Sequence, residues 1–239
     1  MKKIVVLVAA LVVALSVIAR VRSLDAMSDD EYKEFLVNMT APRCGNGGGG
    51  LRSISPLPDT NRFLRLVKEV AHSNTNRTSC MIVLVAEYGS EADLPFLYEY
   101  AADSGWNGRV ALKGILEHEG IGSNSVTAVE AFLATTDANR DAAYNRSWIC
   151  RFALREASRD GVADALRARV MQSALAYALR DGSHVASVDG YIMAFDPTYQ
   201  YSTNRLEVLR ASLDWNINDY QRNYVTNAIH EIEAQLPPE

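Results

Sequence analysis

The sequence predicts an all-α fold made of stacked antiparallel helix pairs, arranged as a short α-solenoid or as an irregular helical bundle. Apolar residues recur about every 3.6 positions through most of the chain beyond residue 60. Capping and turn residues separate these segments at short intervals. Only seven prolines occur in 239 residues, and no alternating Val-, Ile-, Thr- or Tyr-rich segments recur, which disfavours a β-sandwich or barrel.

The composition is typical of a soluble globular chain with room for one domain or two small ones. Hydrophobic residues make up 48% of the chain and charged residues 22%, and the net charge is −5. Removal of residues 1–23 would take four basic residues and no acidic ones, leaving 20 basic and 29 acidic residues and a net charge of −9. An acidic chain of this kind is poorly suited to binding nucleic acid phosphates. We therefore expect no nucleic-acid partner.

The N-terminal segment, residues 1–23, is predicted to be a signal peptide. Two lysines precede the apolar run Ile4–Ile18, and Arg20 and Arg22 follow it. A basic start, an apolar run and small residues beyond it are the layout of a secretory signal. The protein is then exported to the periplasm or the extracellular space. The alternative is an uncleaved anchor in the inner membrane, although the run is short of the roughly 20 residues that a spanning helix needs.

Residues 24–59 are predicted to hold one short helix and a flexible linker. Ser28 and Glu31 have the spacing of a capping box, in which each residue accepts a hydrogen bond from the backbone amide of the other. The run Gly45–Gly50 contains five glycines and therefore has large backbone entropy and no apolar side chain to bury. It lacks the Lys and Ser/Thr of a phosphate-binding loop, so the linker interpretation is preferred.

Residues 60–239 are predicted to form an α-helical repeat-like domain that begins after a cap at Asp59-Thr60. Its clearest unit runs from Met81 to Gly120. The segment Val185–Tyr201 is predicted either as a helix that ends at Asp196-Pro197 or as a short extended piece. Each later helix is marked by apolar residues that share one face. These sets are Val126, Val129, Phe132 and Leu133; Trp148, Ile149, Phe152 and Ala153; Leu166, Val170, Ala174 and Tyr177; Leu206, Leu209 and Leu213; and Ile217, Tyr220, Tyr224, Ala228 and Ile232.

The segment Tyr88–Leu97, with Asp103 and Arg109–Leu112 after it, resembles a HEAT-type helical repeat. In that family a Gly and acidic residues lie between helices, and an Asp in a turn precedes an Arg or Lys near the start of the next helix. The resemblance covers roughly residues 79–215. It implies a stack of helix pairs.

Degenerate copies of the Asp and Arg positions follow along the chain. Asp137 precedes Arg146, and Asp196 precedes Arg205, just as Asp103 precedes Arg109. A turn carboxylate can accept amides of the following helix, and an Arg one repeat along can bridge to it. We therefore predict a ladder of Asp and Arg side chains through the stack, and ordinary caps and solvated charges are the alternative. Its candidate members are Asp103, Arg109, Asp137, Arg146, Asp196 and Arg205.

No catalytic, cofactor-binding or metal-ligating residue is assigned from the sequence. His118 lies between two glutamates, but consecutive helical residues point in different directions and do not share one metal. His230 does not match the HExxH pattern of zinc proteases. Ser183, His184 and Asp189 have the residue types of a catalytic triad, yet no nucleophile elbow accompanies them, so a turn is preferred. We expect no cofactor.

The three cysteines form neither a CxxC motif nor an even set. In an oxidising compartment Cys80 and Cys150 are candidates for a disulfide. Both lie in apolar helical stretches, so free buried thiols are the preferred alternative. Cys44, beside the glycine run, is the leftover thiol.

The predicted function is that of an exported scaffold whose stacked helices bind another protein. Tyrosines in the last quarter of the chain are the best indication of a binding face, although Tyr220 and Tyr224 are interpreted as core residues. The alternative is an enzyme or small-ligand binder with a site in a helical cleft, using arginines or the segment Asp196–Tyr201. Contact with a membrane is expected only through an uncleaved N-terminal segment.

We expect the mature protein to begin at Leu24, because the basic start and apolar run have the layout of a cleaved signal. An earlier cut, after Ala19, is the alternative. Intact mass of the protein recovered from the exported fraction of its host measures the start directly. Recovery of the chain with Met1 in a soluble cytoplasmic fraction would contradict this prediction.

Overall fold

The chain is all-α in the part that the computed structural model describes, which confirms the predicted fold class. The described residues are 26–40, 59–136, 140–180, 184–214 and 217–235. Within them lie eleven α-helices and two short 3-10 helices, and no strand. Residues 1–23 and the glycine run lie outside the described residues.

The helices form two compact units that meet in sequence between Gly89 and Ser90. This boundary falls inside the predicted 60–239 domain. The first unit contains α1 (Asp29–Thr40), α2 (Thr60–Ser73) and α3 (Thr78–Tyr88), with α2 packed against both α1 and α3. Its core consists of fully buried aliphatic side chains, which include Leu36, Leu66, Val67, Met81, Ile82 and Leu84.

Local capping explains where the first two helices begin. At α1 the Ser28 amide donates to Glu31 Oε2 at 2.8 Å, and the Glu31 amide donates to Ser28 Oγ at 3.3 Å, which confirms the predicted capping box. At α2 the Arg62 amide donates to Asp59 Oδ1 at 2.9 Å. The Arg62 guanidinium also donates to Asp29 Oδ1 at 3.0 Å, so a side chain of α2 binds the first turn of α1.

The second unit contains the other eight α-helices. It begins with the 3-10 helix Glu91–Asp93, and a second 3-10 helix, Pro197–Tyr201, precedes α10. The α-helices are α4 (Leu94–Tyr100), α5 (Trp106–His118), α6 (Ser123–Leu133), α7 (Arg140–Ala157), α8 (Asp164–Arg180), α9 (Val185–Phe195), α10 (Thr203–Ser212) and α11 (Asp219–Gln235).

From α5 onward, each helix packs against the next helix and against the next but one. The odd-numbered helices therefore contact one another in series, and so do the even-numbered helices. Stacked helix pairs produce this pattern, because each pair covers the apolar face of its neighbour. The core includes Leu112, Ile115, Phe132, Tyr177 and Ile192, each at most 1% exposed.

The segment Val185–Tyr201 follows the first of its two predicted alternatives. Helix α9 ends at Phe195, and Asp196 caps the following 3-10 helix. Asp196 Oδ1 accepts hydrogen bonds from the Thr198 amide at 2.9 Å and from the Thr198 hydroxyl at 2.7 Å. With Pro197 at the first position of the 3-10 helix, these bonds fix a sharp turn between α9 and α10.

The candidate disulfide between Cys80 and Cys150 is not formed, and the preferred alternative of free buried thiols holds for Cys150 but not for Cys80. Cys80 is disulfide-bonded, whereas Cys150 is a free thiol that is 1% exposed. Cys150 lies inside the apolar core of the second unit, where burial raises the pKa of its thiol to about 12. Cys44, the third cysteine, lies outside the described residues.

Gly108 permits a close backbone approach in the second unit. A Cβ atom at this position would lie 1.8 Å from the Asp103 carbonyl oxygen and 2.9 Å from the Phe132 ring. Helix α5 therefore packs directly against the turn that precedes it, and only glycine leaves room for that contact. By contrast, a Cβ atom at Gly190, inside α9, would meet nothing within 4 Å.

We expect Gly108→Ala and Gly190→Ala to have opposite effects on stability. The first should lower the free energy of unfolding by about 1–3 kcal/mol, because the new methyl overlaps a carbonyl oxygen. The second should raise it by about 0.5–1 kcal/mol, because alanine loses less backbone entropy in a helix. Urea denaturation of both variants measures the difference. Equal stability of the two would contradict the packing of α5 on its preceding turn.

Candidate functional site

Aromatic rings and arginines lie together along helix α7 and its neighbours in the second unit. Tyr144, Trp148 and Phe152 are spaced four residues apart on α7, so they share one face over about 12 Å of helix. We call this cluster the arginine–aromatic face. It consists of Trp106, Arg109, Tyr144, Trp148, Arg151, Phe152, Arg155 and Tyr191.

Arg109 is held by three aromatic rings. Its Cζ lies 4.1 Å from the Trp106 ring centroid, 5.4 Å from that of Trp148 and 5.6 Å from that of Tyr144. It makes no ion pair with any of the described residues, and it is partly buried. Burial lowers the pKa of Arg109, and the neighbouring Tyr144 hydroxyl partly offsets this effect. The rings thus stabilise a cation that lacks an acidic counter-charge.

The face continues along α7 beyond Arg109. The Trp148 and Phe152 rings stack with centroids 5.1 Å apart and an interplanar angle of 13°. Arg155 lies over Phe152, with Cζ 4.4 Å from the ring centroid. On the α9 side, Arg151 lies 4.4 Å from the Tyr191 ring centroid and donates to its hydroxyl at 2.7 Å. The side chains are therefore held in place by one another.

Part of this apolar surface remains open to solvent. Tyr144 is 51% exposed and Tyr191 is 36% exposed, so both of these large side chains lie at the surface. Trp148 is partly buried, and Phe152 is buried. An exposed array of Trp, Tyr and Arg has the composition of a binding hot spot in protein interfaces.

A buried ion pair lies between the last helices of the second unit. Asp189 on α9 is 1% exposed and Arg205 on α10 is 4% exposed. Arg205 Nη2 donates to Asp189 Oδ2 at 2.9 Å, and its Nε lies 3.1 Å from each carboxylate oxygen. Arg205 Nη1 donates to the Gln200 carbonyl oxygen at 2.7 Å, and the Tyr224 hydroxyl donates to Asp189 Oδ2 at 2.7 Å. The ion pair itself is buried, and its hydrogen bonds join these helices.

The two tyrosines that were predicted to lie in the core of α11 differ in position. Tyr224 is partly buried, and burial together with its hydrogen bond to Asp189 raises its pKa to about 12. Tyr220 is 76% exposed, so its assignment to the core is wrong. Helix α11 begins at Asp219 and buries Val225, Ala228, Ile229 and Ile232, and Tyr220 precedes that stripe in the first turn.

Among the described residues, Asp103 does not pair with Arg109 and Asp196 does not pair with Arg205, and the ladder from one repeat to the next stays a prediction. Arg205 binds Asp189, not Asp196, whose Oδ1 caps the 3-10 helix. Asp103 Oδ1 accepts from the Gly105 amide at 2.7 Å, while Arg109 packs on rings instead of bonding to Asp103. In both turns the carboxylate binds nearby backbone amides, which leaves the following Arg to find another partner.

The remaining candidate pair of the ladder is Asp137 and Arg146. Asp137 lies outside the described residues. Arg146 on α7 is 5% exposed, and its Nη1 lies 3.4 Å from Thr135 Oγ1. The Asp137–Arg146 pair stays a prediction.

The histidines show no arrangement of catalytic or metal-binding groups within the described residues. No set of three His, Cys, Asp or Glu side chains there is placed to hold a metal ion. His184 packs edge-on against Tyr144, with ring centroids 6.2 Å apart. Asp189 is bonded to Arg205 and Tyr224, and Ser183 lies outside the described residues.

Comparison with known proteins gives no identity from which to transfer a function. No protein-family model, curated protein or solved structure matches the chain. None of the described helices has both the length and the apolar character needed to cross a bilayer. The function must therefore be inferred from the residues themselves.

Sequence reasoning missed the arginine–aromatic face, although a signal for it was present. The apolar periodicity of the sequence places Trp148 and Phe152 in a core stripe, and the sequence indicates the tyrosine-rich last quarter as the binding face. Of those tyrosines, Tyr191 belongs to the face. Two arginines, Arg151 and Arg155, next to aromatic residues at the same helical spacing were the overlooked signal.

We expect Arg205→Ala to lower the free energy of unfolding by about 3–5 kcal/mol, because it leaves the Asp189 carboxylate buried without a counter-charge. Arg109→Ala should lower the free energy of unfolding by only about 1 kcal/mol, because it removes cation–π contacts and leaves no buried charge without a partner. The double variant Asp189→Leu with Arg205→Met should recover more than about half of the larger loss. Chemical denaturation tests all three variants. Similar losses for the two single variants would contradict the distinction.

Proposed function

We propose that this protein is an exported, non-enzymatic helical-repeat scaffold that binds another protein through the arginine–aromatic face. The observation that supports this most strongly is Arg109, a partly buried cation held by three rings and paired with no carboxylate among the described residues. Although the chain has a net charge of −5, no described carboxylate compensates the charge of Arg109. This uncompensated charge favours a partner that supplies the missing interactions.

The rigidity of the face supports this role. Trp148 is stacked on Phe152, and Arg151 is bonded to the Tyr191 hydroxyl, so these side chains lose little freedom when a partner binds. Tyrosine and tryptophan also tolerate exposure, because each combines an apolar ring with a polar group. A partner protein is therefore favoured over a nucleic acid, which the acidic net charge repels.

The repeat assignment rests on the packing of α5 to α11. Each of these helices contacts the next and the next but one, which is the arrangement expected of HEAT-like stacked pairs. Export is supported by the layout of residues 1–23 and by the disulfide at Cys80, since disulfides persist mainly in oxidising compartments. No step of this proposal needs a catalytic residue or a cofactor.

Site-specific photocrosslinking in the native host tests the proposal. A photoreactive phenylalanine analogue at Tyr144 should form an adduct of higher mass with one partner. The same analogue at Tyr220, which is 76% exposed and lies outside the face, is the matched control and should form none. Combining the Tyr144 probe with Arg109→Ala or Trp148→Ala should reduce the adduct by about tenfold or more, the loss typical of a hot-spot residue.

Two outcomes would contradict the proposed function. One is an equal yield of adducts from positions 144 and 220, which would indicate non-specific contact. The other is an adduct that persists in both Arg109→Ala and Trp148→Ala. Thermal melts of each variant separate loss of binding from loss of folding.

A further inference from the structure

The second unit contains a cleft of about 530 Å³, and none of its described lining residues belongs to the arginine–aromatic face. The end of α7, one side of α8 and the turn from α9 to α10 form its walls. Its volume falls in the range of small-molecule sites, about 300–1,000 Å³. The lining residues are Ser158, Arg167, Ala168, Met171, Gln172, Leu175, Phe195, Asp196, Thr198, Tyr199, Ser202 and Asn204.

Two residues of this lining carry buried polar atoms without a hydrogen-bond partner among the described residues. These atoms are the Tyr199 hydroxyl oxygen and Arg167 Nε. Tyr199 is only 3% exposed, and burial raises its pKa, with the negative charge of Asp189 adding to the effect. Its hydroxyl is therefore protonated at neutral pH. Buried donors without acceptors are rare in proteins, and two in the lining of one cleft call for an explanation.

The described lining holds one arginine and one carboxylate, and these differ in how far their hydrogen-bonding groups are already used. Arg167 donates through Nη2 to the Arg159 carbonyl oxygen at 2.9 Å and makes no ion pair within the described residues. Asp196 is the one carboxylate among the described lining residues, and its Oδ1 is already bonded to the amide and hydroxyl of Thr198. The carboxylate of Asp189, which lies near Tyr199, is neutralised by Arg205. A cation and a hydroxyl donor thus remain for an acceptor-rich group.

The remaining walls are suited to an apolar group. Met171 and Leu175 lie one helical turn apart on α8, and Phe195 is the last residue of α9. A ligand that satisfies both parts of the cleft carries an anionic head and an apolar body.

We propose that this cleft binds a small organic carboxylate, with its carboxylate toward Arg167 and Tyr199 and its apolar chain along Met171, Leu175 and Phe195. A carboxylate has the charge and the acceptor oxygens that a guanidinium and a hydroxyl require. One arginine matches a single negative charge, and the apolar walls exclude a ligand that is polar throughout. This site does not depend on the proposed scaffold function.

Calorimetric titration of the mature protein with octanoate tests the proposal, with octanol as the uncharged probe of the same chain length. Octanoate should bind at least about tenfold more tightly than octanol, because only octanoate pairs with Arg167. Arg167→Gln and Tyr199→Phe should each weaken octanoate binding by about tenfold. Arg210→Gln, which removes an exposed arginine paired with Glu233, is the matched control and should bind as the wild type does.

The unliganded melting temperature separates a binding role from a structural one. Because the Tyr199 hydroxyl has no partner in the described structure, Tyr199→Phe should leave the melting temperature unchanged or raise it. Absence of octanoate binding to the wild type would overturn the proposal, and so would equal binding of octanol. Wild-type affinity in Arg167→Gln would overturn it as well. None of these results affects the crosslinking test of the arginine–aromatic face.

Discussion

The ion pair between Asp189 and Arg205 is the interaction on which the C-terminal part of the second unit depends. Both side chains are almost fully buried, and removing charges from water is costly unless every partner is present. Here the partners come from four consecutive elements: Asp189 from α9, the Gln200 carbonyl from the 3-10 helix, Arg205 from α10 and the Tyr224 hydroxyl from α11. The ion pair and its hydrogen bonds therefore fix the positions of these four elements relative to one another.

Both candidate binding regions depend on that arrangement. Arg205 holds the 3-10 helix through Gln200, and the neighbouring Tyr199 lines the cleft. Helix α9 supplies Asp189 to the ion pair and Tyr191 to the arginine–aromatic face, where Arg151 of α7 lies over its ring. A rigid interior thus positions two surfaces that have different chemistry. Rigid placement of the side chains reduces the entropy lost on binding at either surface.

Three arginines of the second unit show how partners decide the role of a cation. Arg205 is neutralised by a buried carboxylate and stabilises the fold. Arg109 is surrounded by rings, which attract a cation without cancelling its charge. Arg167 keeps a buried donor without an acceptor. Arg109 and Arg167 can therefore still bind an external group, whereas the charge of Arg205 is already paired.

The helices could be predicted from the sequence, because capping and apolar periodicity are local properties of the chain. Ser28, Glu31 and Asp59 mark starts that the structure confirms, and Asp196-Pro197 marks the end of α9. Tertiary structure alone decided which distant groups meet. Arg205 pairs with Asp189 and not with Asp196. Cys150 is buried as a free thiol, and rings of α5 and α7 surround Arg109. Turn carboxylates bind the nearest free amides, whereas long side chains reach partners that only the packing of helices brings close.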